Sequence, residues 1–188
     1  MGVYLTIRSA TVEQIAALDA KPELLPAFFD AIGFEDVIPR PTLWQLLTGK
    51  RASIPEALLD QSNCMEIGLE KTWHALHFLF TGTAEGGDPP ACFLMSGGLG
   101  LSTGDTEAHA LSPLQVEAFR RFVHGISEEQ LRARYDPKRM TELHIYPEII
   151  WQRDGEEALE YVLEYHQQLW SFLRDAAAEH QGCVMWLG

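Results

Sequence analysis

Val3-Tyr4-Leu5-Thr6-Ile7 near the start of the chain and Cys183-Val184-Met185-Trp186-Leu187 near its end decide the fold. In the first stretch apolar Val3, Leu5 and Ile7 alternate with Tyr4 and Thr6, the period-two pattern of a strand with one buried face. The second is a short unbroken apolar run, again a strand. A lone strand leaves its backbone donors unmet, so two strands at opposite ends of an otherwise helix-rich chain must share a sheet. The expected fold class is α/β. A single layered domain over 1–188 holds a small central sheet with the N- and C-terminal strands in it, packed by several helices, one of them long and C-terminal.

That long helix is read over 155–180. Leu159, Val162, Leu163, His166, Leu169, Trp170, Leu173 and Ala177 recur at helical spacing, and Asp154, Glu156, Glu157 and Glu160 crowd its start, where the helix dipole favours carboxylates. Thr11 with Gln14 and Ser127 with Gln130 are capping boxes, and Ser112-Pro113 opens a helix through about His124. Pro22 begins a helix whose stripe (Leu24, Leu25, Phe28, Phe29, Ile32) ends at Gly33. A turn, a short helix and a stop are expected over 35–54, and a further brief helix over 55–63. Residues 70–81 form an apolar helix stopped by Gly82. Ala91–Met95 is expected as a short buried strand, 96–104 as a glycine-rich turn and 100–110 as a loop. The helix after Ser127 should end near Asp136-Pro137, and Leu143–Trp151 should be extended with a break at Pro147.

Among 188 residues, 27 Asp and Glu outnumber 14 Lys and Arg, for a formal net charge of −13. Such a chain repels phosphate backbones and anionic lipid headgroups, which disfavours nucleic-acid and membrane-surface binding. No window approaches the roughly 20 apolar residues of a membrane span, and the first residues lack the pattern of a secretory signal. Thr6 satisfies the myristoylation spacing after Gly2, but the strand pattern is the stronger reading. Cys64, Cys92 and Cys183 are widely spaced without a C-x-x-C pair, so no disulfide framework is expected and a cytoplasmic setting fits.

Few residues suggest chemistry. His74 and His77, with Glu70 four before His74, could share a helical face as metal ligands, but H-E-x-x-H is absent and His109, His124, His144, His166 and His180 form no second cluster. No metal and no cofactor is expected. His77 should be buried with its ring nitrogens satisfied by neighbours, and His74 partly exposed. The glycine-rich turn lacks a phosphate-loop pattern, and Asp105 and Glu107 would repel an anion, so it reads as a plain turn. Ser96 has no nucleophile-elbow context. Cys92 and Cys183 sit in apolar runs that make them small hydrophobes. Trp44, Trp73, Tyr146, Trp151, Trp170 and Trp186 read as core aromatics.

The stretch Glu70-Lys71-Thr72-Trp73-His74-Ala75-Leu76-His77-Phe78-Leu79-Phe80-Thr81-Gly82 resembles a D-K-x-W-x-x-L-H-x-L-L-T-G pattern, with Glu70 in place of its Asp and Phe80 in place of its last Leu. Leu111-Ser112-Pro113, Leu131-Arg132-Ala133-Arg134-Tyr135-Asp136-Pro137, Ile145-Tyr146-Pro147 with Trp151, and Glu160-Tyr161-Val162-Leu163 follow in order. Together they resemble the YfbM-like family, bacterial proteins of unknown function. Residues 21–60 match loosely, and Asp105-Thr106-Glu107-Ala108-His109 replaces the family's Y-G-P-A-R type of loop. The resemblance implies a layered α/β fold and a cytoplasmic bacterial protein, and it implies no reaction. Its matched polar or aromatic positions, Lys71, Trp73, His77, Thr81, Tyr146 and Trp151, are the candidate pocket.

Two functions follow as expectations. The first is a non-enzymatic protein-binding domain, of immunity or adaptor type, whose acidic surface meets a basic protein partner. The alternative is a small-molecule-binding enzyme, for example a hydrolase, with His77 as general acid or base and Tyr146 assisting. That alternative requires His77 to open into a pocket within reach of a second polar side chain.

Overall fold

The computed structural model describes residues 2–30, 33, 37, 53–101 and 107–188. The turn, helix and stop expected over 35–54, Trp44 included, lie outside these residues apart from single positions, as do 102–106 of the expected loop.

Strand β1 (Leu5–Ala10) runs antiparallel to β5 (Gly182–Leu187), pairing Leu5 with Leu187 and Ala10 with Gly182. The chain's two end strands are therefore neighbours, as their apolar patterns demand. β2 (Glu66–Gly68) adds to the free edge of β1, β4 (Glu107–Leu111) to that of β5, and β3 (Leu99–Gly100) to β4. The sheet order is β2-β1-β5-β4-β3, with every neighbour antiparallel.

Both faces of this sheet are covered. Directly paired residues share a face, so Leu5, Ile7, Cys183, Met185 and Leu111 join the larger core with α3 (Trp73–Thr81), α4 (Pro113–Gly125) and α8 (Glu156–Ala178). Ala10, Val184, Ala108 and Ala110 face the other way. They meet α1 (Val12–Ala20), α2 (Leu25–Phe28) and the 3-10 turn Glu56–Leu58 through Ile15, Leu18, Phe28 and Leu58. The 23 residues of α8 form a rod of about 35 Å that packs chiefly on α4. No helix among the described residues is long and apolar enough to cross a membrane.

The two expected capping boxes form, Thr11 with Gln14 and Ser127 with Gln130, and the helix opened by Ser112-Pro113 starts with a third, Ser112 with Gln115; each exchanges side-chain and backbone hydrogen bonds. α3 stops at Gly82, whose φ of 77° suits a residue without a Cβ. Several expectations are corrected. Ala91–Met95 is buried but coiled into turns, because the Asp88, Pro90 and Cys92 carbonyls take the local N–H groups that a strand would offer sideways. The described part of the expected 22–32 helix, residues 22–30, holds only a 3-10 turn at Pro22–Leu24 and α2, with 31–32 outside the described residues, and the 55–63 helix shortens to Glu56–Leu58. Pro137 and Pro147 do not merely end structure. α5 (Glu128–Arg134) is followed by α6 (Pro137–Glu142), capped by Asp136, and α7 (Glu148–Asp154) replaces the extended reading of Leu143–Trp151. A proline fits the first turn of a helix, where its missing N–H costs nothing. β4 was expected as loop and is a paired strand.

Candidate functional site

α3 begins at Trp73, and its first turn holds an aromatic network. The Trp73 indole lies flat on the His74 ring, with centroids 4.9 Å apart and planes 7° apart, and 6.2 Å from the Tyr146 ring. Its Nε1 donates to the Val3 carbonyl at 3.3 Å, while the Val3 N–H donates to the Tyr146 hydroxyl at 3.1 Å. The Tyr146 amide donates to His74 Nδ1 at 2.9 Å. Nδ1 therefore carries a lone pair, so Nε2 bears the proton and donates to the Ala84 carbonyl at 2.9 Å. Burial lowers the His74 pKa, in keeping with this neutral tautomer.

Of the expected pocket residues, Trp73 and Tyr146 thus come together and the others do not join them. His77 is fully buried, and neither ring nitrogen has a hydrogen-bond partner. The expected satisfaction by neighbours is absent because Ala75, Leu76, Phe78, Leu79 and Phe80 around it on α3 are apolar and buried as well. Burial, with His74 next in rank, pushes its pKa down to about 4. Thr81, at the far end of α3, donates its hydroxyl to the His77 carbonyl at 2.8 Å. Trp151 is wholly buried, its Nε1 donating to the Ile145 carbonyl at 2.7 Å. Lys71 sits half-buried in the turn before α3. Among the aromatics read as core, Tyr146, Trp170 and Trp186 are only partly buried.

The sheet itself makes the better site. Glu107 and His109 lie on the face of β4 that also carries Met185 and Leu187 across the ladder. They line a cleft of about 30 Å³ with Leu5, Trp73, Met185 and Leu187. At Met95, Glu107 and His109 this cleft widens into one of about 360 Å³ along Ser96, Gly97, Gly98 and Gly100. His109 Nε2 lies 3.0 Å from the Phe93 carbonyl, which can only accept, so Nε2 carries the proton and Nδ1 the lone pair. Burial lowers the His109 pKa against the effect of that bond. A Cβ at Gly98 would stand 2.2 Å from the Ala110 carbonyl oxygen, so glycine serves the close approach to β4.

A second polar cleft surrounds Arg8, lined also by Asp30, Gln61, Cys64 and Glu66. Arg8 is only 8% exposed, and its guanidinium is held on several sides. It donates to Glu66, Gln61 and Asp30, each at 2.6 Å, and to the Phe28 carbonyl. Arg8 and the Glu107–His109 pair escaped the sequence reading. The one signal available was a cation embedded between Ile7 and Ser9 in a strand, a place where a charge is kept only if paired. Among the described residues, no group of three or more His, Cys, Asp or Glu gathers as a metal site, and Cys64, Cys92 and Cys183 are free thiols.

No curated protein matches the chain. A solved structure of a protein of unknown function, YfbM from Escherichia coli, is similar over 100% of both chains at 18% sequence identity, with a TM-score of 0.67. At that identity the likeness speaks for the fold. Residues 1–186 match the family described as a domain of unknown function, DUF1877, and the chain belongs to that family, the YfbM-like proteins that its 70–82 stretch resembles.

Proposed function

We propose that the chain is a non-enzymatic binding domain, of immunity or adaptor type, that meets a basic protein partner through its surplus of carboxylates. One observation carries this reading: among the described residues, seven of the eight arginines are consumed in ion pairs within the chain. Arg8, Arg120, Arg121, Arg132, Arg139, Arg153 and Arg174 each form an ion pair with Asp or Glu. Arg134 instead donates to the Leu79 carbonyl at the end of α3. With 27 acidic against 14 basic residues, the unpaired remainder is acidic. A field of that sign speeds encounter with a cationic partner and is screened by salt. Capture of partners at low and high salt, followed by titration of the purified partner, tests it. A basic protein whose affinity falls steeply with salt is expected. Retention of no basic protein at low salt, or salt-independent binding, overturns the reading.

A second reading, a small-molecule enzyme of hydrolase type, rests on the polar junction in the sheet-face cleft. His77 is buried with no hydrogen-bond partner, so general-base chemistry would fall to His109, whose Nδ1 holds a lone pair because Nε2 faces the Phe93 carbonyl. Turnover of ester or amide substrates that is lost in H109Q would favour it over the first reading.

A further inference from the structure

The junction where the two sheet-face clefts meet has a one-sided chemistry. Of the three residues they share, Met95 is apolar, while Glu107 is a carboxylate and His109 an imidazole whose Nδ1 holds the lone pair. The nearby Trp73 N–H is already spent on the Val3 carbonyl. The junction side chains therefore accept hydrogen bonds and donate none. No ion pair among the described residues neutralises Glu107, although nearly every described arginine is paired with a carboxylate elsewhere. The inner cleft behind them is walled by Leu5, Met185, Leu187 and Trp73. Its 30 Å³ is room for two or three waters or a short alkyl group.

These features select a ligand head. An anion is repelled by Glu107, and a neutral amide or alcohol leaves at least one acceptor of its own facing acceptors. An ammonium has three donors, no acceptor and the complementary charge. We propose that this junction binds a small primary alkylammonium, its –NH3+ on the Glu107 carboxylate and His109 Nδ1 and its short alkyl end in the inner cleft. The site is independent of the partner reading, since it needs no macromolecule.

Titration of the full chain with n-butylammonium, followed by NMR of the Trp73 indole and His109 ring, tests it. Saturable shifts of both rings are expected, with 1-butanol and butyrate binding at least about 10-fold more weakly. E107Q, a change at an exposed position, should weaken n-butylammonium about 10-fold while leaving the remaining spectrum in place. Absence of saturable shifts, equal binding of 1-butanol, or an E107Q variant that binds unchanged overturns the proposal. Blocked lysine methylamide serves as the peptide-borne arm. Weaker binding than n-butylammonium supports a free amine, and tighter binding overturns the small ligand in favour of a lysine side chain.

Discussion

His74 Nδ1 accepts the Tyr146 amide hydrogen at 2.9 Å across a separation of 72 residues, tying the first turn of α3 to the segment before α7. The opposite ring nitrogen holds the Ala84 carbonyl, so one imidazole fastens two loops to one helix. H74A should cost about 2 kcal/mol, the worth of two hydrogen bonds with buried ends. Amide exchange at Tyr146 should accelerate about tenfold or more, whereas exchange in the β1–β5 ladder should follow only the global loss. Unchanged Tyr146 exchange would show that the bridge holds nothing.

His77 is a burial cost without a return. H77L fills similar space and removes two unpaired ring nitrogens. The variant should be more stable by about 1 kcal/mol at neutral pH in urea melts. The gain should grow on acidification. The unfolded imidazole protonates near 6.5 and the folded one only near 4, so in that window the unfolded chain binds more protons. Stability therefore falls as pH drops from 6.5 toward 4 and is unaffected by this group well above that window. At about pH 5 the advantage of H77L should reach about 3 kcal/mol. His74, His109 and His166, also lowered chiefly by burial, keep part of the slope in the variant.

Arg8 gathers β1, β2, the end of α2 and Gln61 around one guanidinium, with its carbon over the rings of Phe28 and Phe29 at 5.6 and 5.7 Å. R8M should cost about 2–3 kcal/mol, below the cost of breaking a wholly buried pair because Asp30 and Glu66 can turn to water. R8K should recover less than half, since a single ammonium cannot span the fork's partners. Equal stability of R8K and the parent would exclude the fork.

Two glycines of the same turn should respond oppositely. G98A drives a Cβ into the Ala110 carbonyl and should cost at least about 2 kcal/mol with loss of the β3–β4 pairing. G100A meets nothing within 4 Å and should be neutral or stabilising by about 0.5 kcal/mol. Equal urea midpoints for the two variants would contradict the geometry.

What could be read ahead of the structure was local. The Thr11–Gln14 and Ser127–Gln130 caps lie within one turn of chain, so spacing alone reveals them. The pairing of the end strands followed from backbone valence. β4 was invisible because Glu107-Ala108-His109-Ala110-Leu111 has weak strand preference and becomes a strand by zipping onto β5. The same fact hid the cleft, since Glu107 and His109 share a face only once that strand exists. Ala91–Met95 failed in reverse, its apolar residues buried as a folded-up turn. Pro137 and Pro147 were legible as boundaries, but a boundary does not say what lies beyond it.

β5 occupies the middle of the five-strand order, with β2-β1 on one side and β4-β3 on the other. A single proteolytic nick that releases this segment would split the layer into two unjoined hairpin-like fragments and strip the wall of Met185 and Leu187 from the cleft. The central place of β5 thus makes the integrity of the whole layer depend on one terminal segment.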